Sequence, residues 1–308
     1  MIRPFEAEDG DAVAALLAED PLPEAVTGDG IRHWVASQPE RAQAALWVAE
    51  ADGAVAGWAR ARLRWATSAE GVSELWAFVS PGRRGEGLGA ALFSAAHAHL
   101  RAAGARVVES WAVGEAGGRF LRARGFEAVR THPILVLDVA SADVSDLEEA
   151  AAAAAAQGYE LVPLAAVADP ESLHVLDAET TADVPGTFAE DDARLEDWLP
   201  ETLGHPQLTR DGSFVVVAGG KPVAHALLHV HTEARLAANE MTGAHRDHRR
   251  RGLARLAKLA TIAWAREQGY MTILTACDED NAGMLSLNAS LGYRRVATET
   301  EYLLEELR

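Results

Sequence analysis

The chain has 308 residues but only one cysteine, Cys277, and it is short of positive charge. Its 28 lysines and arginines face 46 aspartates and glutamates, a net charge of −18. A single cysteine excludes an intrachain disulfide and fits a reducing compartment. The acidic balance repels nucleic acid and anionic membrane, so neither is an expected partner, while a cationic or amine-bearing substrate is favoured. No apolar run approaches the ~20 residues of a membrane-spanning helix, and no apolar signal core follows Met1-Ile2-Arg3-Pro4-Phe5-Glu6. The expected location is the cytoplasm. With 49% hydrophobic residues, the chain has enough apolar material for ordinary cores, and its length suits two domains of ~150 residues each.

The most informative stretch is Thr242-Gly243-Ala244-His245-Arg246-Asp247-His248-Arg249-Arg250-Arg251-Gly252-Leu253-Ala254. It reads as the end of a strand, a basic turn and the start of a helix. Leu253, Leu256, Ala257, Ala260 and Trp264 carry one apolar stripe along that helix to about Glu267. A helix's first turn has backbone N–H groups without intrahelical partners, and the aligned peptide dipoles place partial positive charge there. Such a junction suits phosphate. Gly252 lets a ligand approach the backbone, and three arginines add charge-assisted donors.

Val79-Ser80-Pro81-Gly82-Arg83-Arg84-Gly85-Glu86-Gly87-Leu88-Gly89 has the same order of features. Each junction is followed by a short strand and a helix ending in glycine and an aromatic residue, Gly125-Phe126 and Gly292-Tyr293. Both features recur at nearly one interval, so the chain is read as an internal duplication.

Arg84-Gly85-Glu86-Gly87-Leu88-Gly89 and Arg249-Arg250-Arg251-Gly252-Leu253-Ala254 resemble the R/Q-x-x-G-x-G/A pattern of the GNAT (GCN5-related N-acetyltransferase) superfamily. The stretch from Asn281 to Tyr293 resembles that superfamily's following motif. The likeness covers nearly the whole chain twice. It implies an α/β fold of two tandem GNAT-like domains, each a mixed, mainly antiparallel sheet flanked by helices. The expected boundaries are 1–140 and 159–308, with a helical spacer over 141–158, capped by Asp143 or Ser145 and rich in alanine.

Along the first half, the pattern predicts a strand at 2–5, helices at 12–19 (capped by Asp9 or Asp11) and 31–38, and a loop between them holding Pro21 and Pro23. A hairpin turning at Asp52-Gly53 follows, then strands at 72–79, 106–112 and 126–139. In the second half it predicts strands at 159–164, 214–217, 223–231, 236–244, 271–277 and 295–307, with a helix capped by Asp169.

The resemblance implies acetyl transfer from acetyl-coenzyme A directly to an amine. It assigns Arg84, Gly85, Gly87, Leu88 and Gly89, and Arg249, Arg250, Arg251, Gly252, Leu253 and Ala254, to diphosphate cradles. Val79 and Ala244 would meet the pantetheine and the thioester carbonyl, where a pre-aimed N–H contributes roughly 3 kcal/mol in other acyl-transfer enzymes. Asn281 would hydrogen-bond the coenzyme. An alkylamine of pKa ~10 needs a base. Two carboxylates qualify: Glu240, nine residues before Arg249, and Glu74, ten before Arg84. On a regular strand those offsets face opposite ways, so one strand needs a bulge if the two are to match. The tyrosine that many superfamily members use to reprotonate the thiolate is replaced by Asn288 and Leu121, and the first half has Gly114 in place of Asn281. The second half is therefore expected to be the catalytic one.

His225, His229 and His231 share a strand face with Glu233 nearby, but no compact second ligand pair is evident, and no metal is expected. Cys277 could act as an acyl-enzyme nucleophile but lacks a recognisable base. Trp58, Trp65, Trp76 and Trp111 read as core or interface residues. The alternatives are a mycothiol synthase-like acetyltransferase and a non-catalytic acyl-coenzyme A sensor or scaffold. The chain is expected to be a monomer or homodimer.

Overall fold

The computed structural model describes residues 1–20, 22 and 25–305. Pro21, Pro23 and Leu307, used above to place a loop and the end of the last strand, lie outside the described residues.

From the N-terminus the chain forms β1 (Ile2–Pro4), α1 (Gly10–Leu17), α2 (Gly28–Ser37), β2 (Ala45–Ala51), β3 (Ala54–Leu63) and β4 (Val72–Val79). Then come α3 (Leu88–Ala102), β5 (Val107–Val113), α4 (Gly114–Arg122) and β6 (Glu127–Asp138). The second repeat contains α5 (Leu147–Ala155), β7 (Tyr159–Pro163), α6 (Pro170–Ala182), α7 (Leu195–Trp198), β8 (Phe214–Ala218) and β9 (Lys221–His231). It ends with β10 (Leu236–Ala244), α8 (Leu253–Glu267), β11 (Thr272–Ala276), α9 (Ala282–Ser290) and β12 (Arg294–Glu305). No helix among the described residues is long and apolar enough to cross a membrane.

Equivalent turns punctuate both repeats. Asp52 and Gly53, at φ 52° and 79°, join β2 to β3, and Gly219 and Gly220, at φ 57° and 81°, join β8 to β9. Two consecutive left-handed residues match the right-handed twist of a hairpin. The caps are less regular. Asp169 caps α6 as expected, accepting from the N–H groups of Glu171 and Ser172. Asp9 precedes α1 but does not cap it, because Arg3 holds its carboxylate at 2.6 and 2.8 Å. Asp143 turns its carboxylate to Ser145, and Asp146 takes the N-cap position of α5.

Two compact units result. The first comprises Met1–His132, Asp192–Glu201 and Thr298–Arg308, and the second Pro133–Asp191 and Thr202–Ala297. In the first, β12 pairs antiparallel with β5 from Glu299↔Val113 to Glu305↔Val107. In the second, β6 pairs antiparallel with β11 from Thr272↔Asp138 to Ala276↔Ile134. Each repeat's sheet is thus completed by the closing strand of the other. The helix α5 is no free spacer: it belongs to the second unit, where Ala154 packs with Leu253, Leu256 and Ala257 of α8.

In the first unit, α3 lays Leu92, Ala96 and Leu100 over Ala59, Ala61, Leu75 and Val108. The other face of that sheet packs Val48 and Trp58 against Val13, Leu16 and Ile31. In the second unit, Leu259, Ile262 and Ala265 of α8 cover Leu228, Ala237 and Ile273. In the first unit the core lies on both faces of the sheet, and in the second α8 covers one face; each leaves the turn between β4 and α3, or β10 and α8, at the rim.

Candidate active site

Both expected junctions form. β10 ends at Ala244 and passes through a short 3-10 turn, Arg246–His248, before Gly252 opens α8. Gly252 sits at φ 77° and Gly87, before α3, at φ 87°; neither helix start is capped by a side chain. A Cβ added at Gly85, Gly87 or Gly252 would meet nothing within 4 Å, so the space above both turns is open. The first N–H groups of α3 and α8 face that space without intrahelical partners. Gly85 is left-handed at φ 88° and Arg250, its counterpart, at φ 58°. Gly89 and Ala254 are interchangeable for a simple reason: a Cβ at Gly89 would make ordinary contacts with Phe120 at 3.5 Å and Val79 at 3.6 Å.

The arginines divide their work. Arg84 Nε donates to the Val79 carbonyl at 3.2 Å and Arg249 Nε to that of Ala244 at 3.0 Å, so the first arginine of each motif braces the strand end. Asp183 pairs with Arg249 and, at 2.5 Å, with Arg246. Hydrogen bonds from Arg246 and Arg249 hold the Asp183 carboxyl down at about 2. Arg250 and Arg251 remain exposed at the rim. Leu253 is buried, and Leu88 packs against the first unit's core, so each offers its backbone and not its side chain to the cradle. Asn281 caps α9, its Oδ1 accepting from Met284 N–H at 3.1 Å.

Below each cradle two parallel strands part. β4 pairs with β5 only as far as Glu74↔Glu109, and β10 with β11 only as far as Ala238↔Leu274. The two forks differ in one respect. β4 runs in regular register with β3 throughout, whereas the β10–β9 register shifts between Asn239 and Thr242. An inserted residue bends the strand and takes backbone groups out of the ladder. Val79 and Ala244 are the matched strand ends, so Glu74 falls opposite Ala238, and Glu240 lies within the bulge. The two carboxylates are not equivalent.

Their surroundings differ too. Glu240 Oε1 stands 3.3 Å from His229 Nδ1, and the His229 ring stacks on His205 at 4.2 Å. Burial would raise its pKa, yet the side chain is 48% exposed, and His229 and His205 hold it below the ordinary carboxylate value. Glu74 is buried, with Arg62 at 2.8 Å; Arg62 in turn binds Glu201 and Gln38 at 2.8 Å each. Burial pushes Glu74 up, while Arg62, Arg60 and Arg64 pull it below its ordinary value. A carboxylate tied this way is a poor proton acceptor. Beside it, Trp76 of β4 and Trp111 of β5 stack at 4.8 Å, and the Arg60 guanidinium lies 4.9, 5.8 and 5.4 Å from the rings of Trp34, Trp58 and Trp76. Trp58 and Trp65 are core residues.

The three histidines of β9 go separate ways. His225 is fully buried near Asp177 and Thr180, each at 3.5 Å; His229 meets Glu240, and His231 Nδ1 accepts from Ala234 N–H. Among the described residues no three His, Cys, Asp or Glu side chains gather as a metal site.

Sequence reasoning missed a buried polar cluster at the second unit's fork. Lys258 of α8 is 1% exposed and donates to Asn288 Oδ1 of α9 at 2.6 Å, with its ammonium 4.7 Å from the Tyr293 ring. Tyr293 donates to Asn239 Oδ1 at 2.7 Å. Burial lowers Lys258 to about 7. Burial also raises the Cys277 thiol, against the opposing influence of Lys258 and Asn288. The available signal was the composition of α8. With Leu253, Leu256, Ala257, Leu259, Ala260 and Ile262 all buried, the helix leaves a mid-helix lysine little solvated face.

Comparison with known proteins agrees with this architecture. No curated protein matches the chain. A tandem GNAT protein from the clavulanic acid biosynthesis pathway superposes with a TM-score of 0.73 at 21% identity, covering 99% of this chain and 98% of its own. A GCN5-related N-acetyltransferase from Sphaerobacter thermophilus gives 0.70 at 17% identity, covering 99% and 95%. An acetyltransferase from Pyrococcus horikoshii gives 0.60 at 13%, covering 99% and 89%. The model of the acetyltransferase (GNAT) family matches residues 12–126 and again 174–293. The chain therefore belongs to the GNAT acetyltransferase family, with two copies of its domain in tandem.

Proposed function

We propose that the protein is an N-acetyltransferase that moves an acetyl group from acetyl-coenzyme A directly to a primary amine of a small molecule or peptide, and that its second unit carries the reaction. The observation that carries this reading is the bulge of β10: it places Glu240 at a fork that lies below an open, glycine-relieved helix start. The donor supplies an acyl thioester. The open amides of α8, with Arg250 and Arg251, suit its diphosphate. A backbone N–H released by the bulge between Asn239 and Thr242, and not the strand end at Ala244 that the resemblance implies, suits the carbonyl oxygen as negative charge grows on it. Glu240 takes a proton from the amine, and His229 keeps the carboxylate ionised for that task. The strongly acidic chain favours a cationic acceptor.

The first unit is assigned coenzyme binding without turnover. Its cradle is equally open, but Glu74 is held by Arg62, and the stacked Trp76 and Trp111 bridge the diverging strands. Release of free thiol from acetyl-coenzyme A, followed over a panel of amines, tests the proposal. Binding without thiol release for every amine would favour the sensor reading, and absence of binding would remove both.

A further inference from the structure

Residues 205–209 fill a gap in the second unit's sheet. β8 pairs with β9 only as far as Phe214↔Ala226, so Leu228, His229 and Val230 lie beyond its reach. The segment takes that place. Thr209 N–H donates to the Leu228 carbonyl at 3.0 Å, Val230 N–H to the Gln207 carbonyl at 2.9 Å, and Leu208 pairs antiparallel with His229. The Gln207 side chain adds a bond from Nε2 to the Val230 carbonyl at 3.3 Å. These ties satisfy strand backbone that would otherwise lack partners, and they bring His205 over one particular side chain.

The His205 ring lies face to face with that of His229, centroids 4.2 Å apart and planes inclined by 9°. Its Nδ1 accepts from Gln207 N–H at 3.3 Å, which sets its own orientation. At its edge, His229 presents Nδ1 to Glu240 Oε1 at 3.3 Å. An ionised carboxylate only accepts, so Nδ1 of His229 carries the proton. The outer torsion of a histidine is soft and roughly two-fold. Half a revolution would take Nδ1 off Glu240, and the turning ring would have to sweep through the volume that His205 fills. Resting on the transferase reading above, we infer that His205 is a positioning residue: its face locks His229 with the Nδ1–H on Glu240, the arrangement in which Glu240 takes the acceptor's proton. His205 acts through His229 and Glu240. Burial raises the Glu240 pKa, and the two imidazoles, His229 of β9 and His205 of this segment, bring it below the ordinary value. His231, next on that face of β9, turns to Ala234 N–H instead.

Proton–nitrogen NMR over two bonds, on the full-length protein labelled in histidine, reports which ring nitrogen of His229 carries its proton. Its signals are identified by their absence in His229→Asn, and the measurement needs neither coenzyme nor turnover. At pH 8 wild type should show the Nδ1–H form. His205→Ala, folded by its melting profile, should show both tautomers in exchange. It should also lower kcat by roughly 10–100-fold, the range found where a group orienting a metal-bound imidazole is removed. Its acidic limb in the pH–rate profile should move to higher pH, with KM for acetyl-coenzyme A unchanged. His205→Phe, which keeps a flat ring over His229, should recover the Nδ1–H tautomer and much of the lost kcat. His205→Leu, with bulk but no flat face, replaces His205→Ala should that variant not fold. A wild-type His229 protonated at Nε2, an unaltered tautomer in His205→Ala, or a wild-type rate and profile there overturns this inference and leaves the transferase reading standing. Losses in His205→Phe equal to those in His205→Ala overturn it too. A wild type that releases no thiol with any amine overturns the transferase reading, and this inference with it, whatever the tautomer.

Discussion

Glu240 Oε1 lies 3.3 Å from His229 Nδ1, at the single irregular step of β10. The pair defines a prediction about the base. Glu240→Gln should lower kcat by roughly 10²–10⁴, the usual contribution of a general base, and leave acetyl-coenzyme A affinity nearly unchanged. His229→Asn removes the imidazole that lowers the Glu240 pKa. The acidic limb of the pH–rate profile should then move to higher pH, because the carboxylate protonates sooner. Steady-state kinetics from pH 4 to 8 checks both, and a wild-type kcat in Glu240→Gln would remove this carboxylate from the mechanism.

Gly252 and Gly87 give a paired prediction for the cradles. Each holds a left-handed φ, costing a β-branched residue at least ~1–2 kcal/mol, and each faces the space assigned to the diphosphate. Gly252→Val should remove one of two coenzyme sites by calorimetry and abolish turnover. Gly87→Val should remove the other site and leave kcat largely intact. Full activity in Gly252→Val with activity lost in Gly87→Val would exchange the roles of the two units.

Much of this was legible from the chain itself. The repeat and the two junctions follow from local chemistry, and glycine at each junction was read as room for a ligand; its left-handed angles at Gly87 and Gly252 emerge only in the fold. Asp52-Gly53 announced its hairpin because only certain residues tolerate the backbone angles of such a turn. The sequence also showed that Glu240 and Glu74 could match only through a bulge; the bulge exists, in β10, but it does not make them equivalent. The pairing partners of the closing strands were not legible, because strand alternation at 126–139 and 295–307 reads the same whichever sheet receives it. Nor were the ties of Glu74 to Arg62 and of Lys258 to Asn288, which join elements distant in the chain.

The exchanged closing strands predict that the repeats do not fold separately. A fragment of residues 1–158 lacks 299–305, leaving β5 as an unprotected edge, while its own 134–138 has no β11 to pair with. Unpaired apolar edges drive association. Expressed alone, the fragment should aggregate; coexpressed with 159–308 it should be recovered as a complex by size-exclusion chromatography. A soluble, monomeric, cooperatively melting 1–158 would contradict this.

Lys258 also sets a pH dependence of stability. Its pKa falls from an ordinary 10.5 to about 7 in the folded chain, through burial, which outweighs the opposing influence of Cys277. Between those values the unfolded chain binds more protons than the folded one, so stability must rise with pH across that window. Below pH 7 both states are charged and the full cost of burying the ammonium is present. Lys258→Met removes this cost along with the lysine hydrogen bond to Asn288. The variant should therefore gain on wild type most at pH 6, lose that advantage progressively toward pH 10, and show a flatter profile between. Urea melts at intervals of one pH unit check it. A wild-type profile that falls across pH 7 to 10, with Lys258→Met falling in parallel, would mean that another group governs stability there.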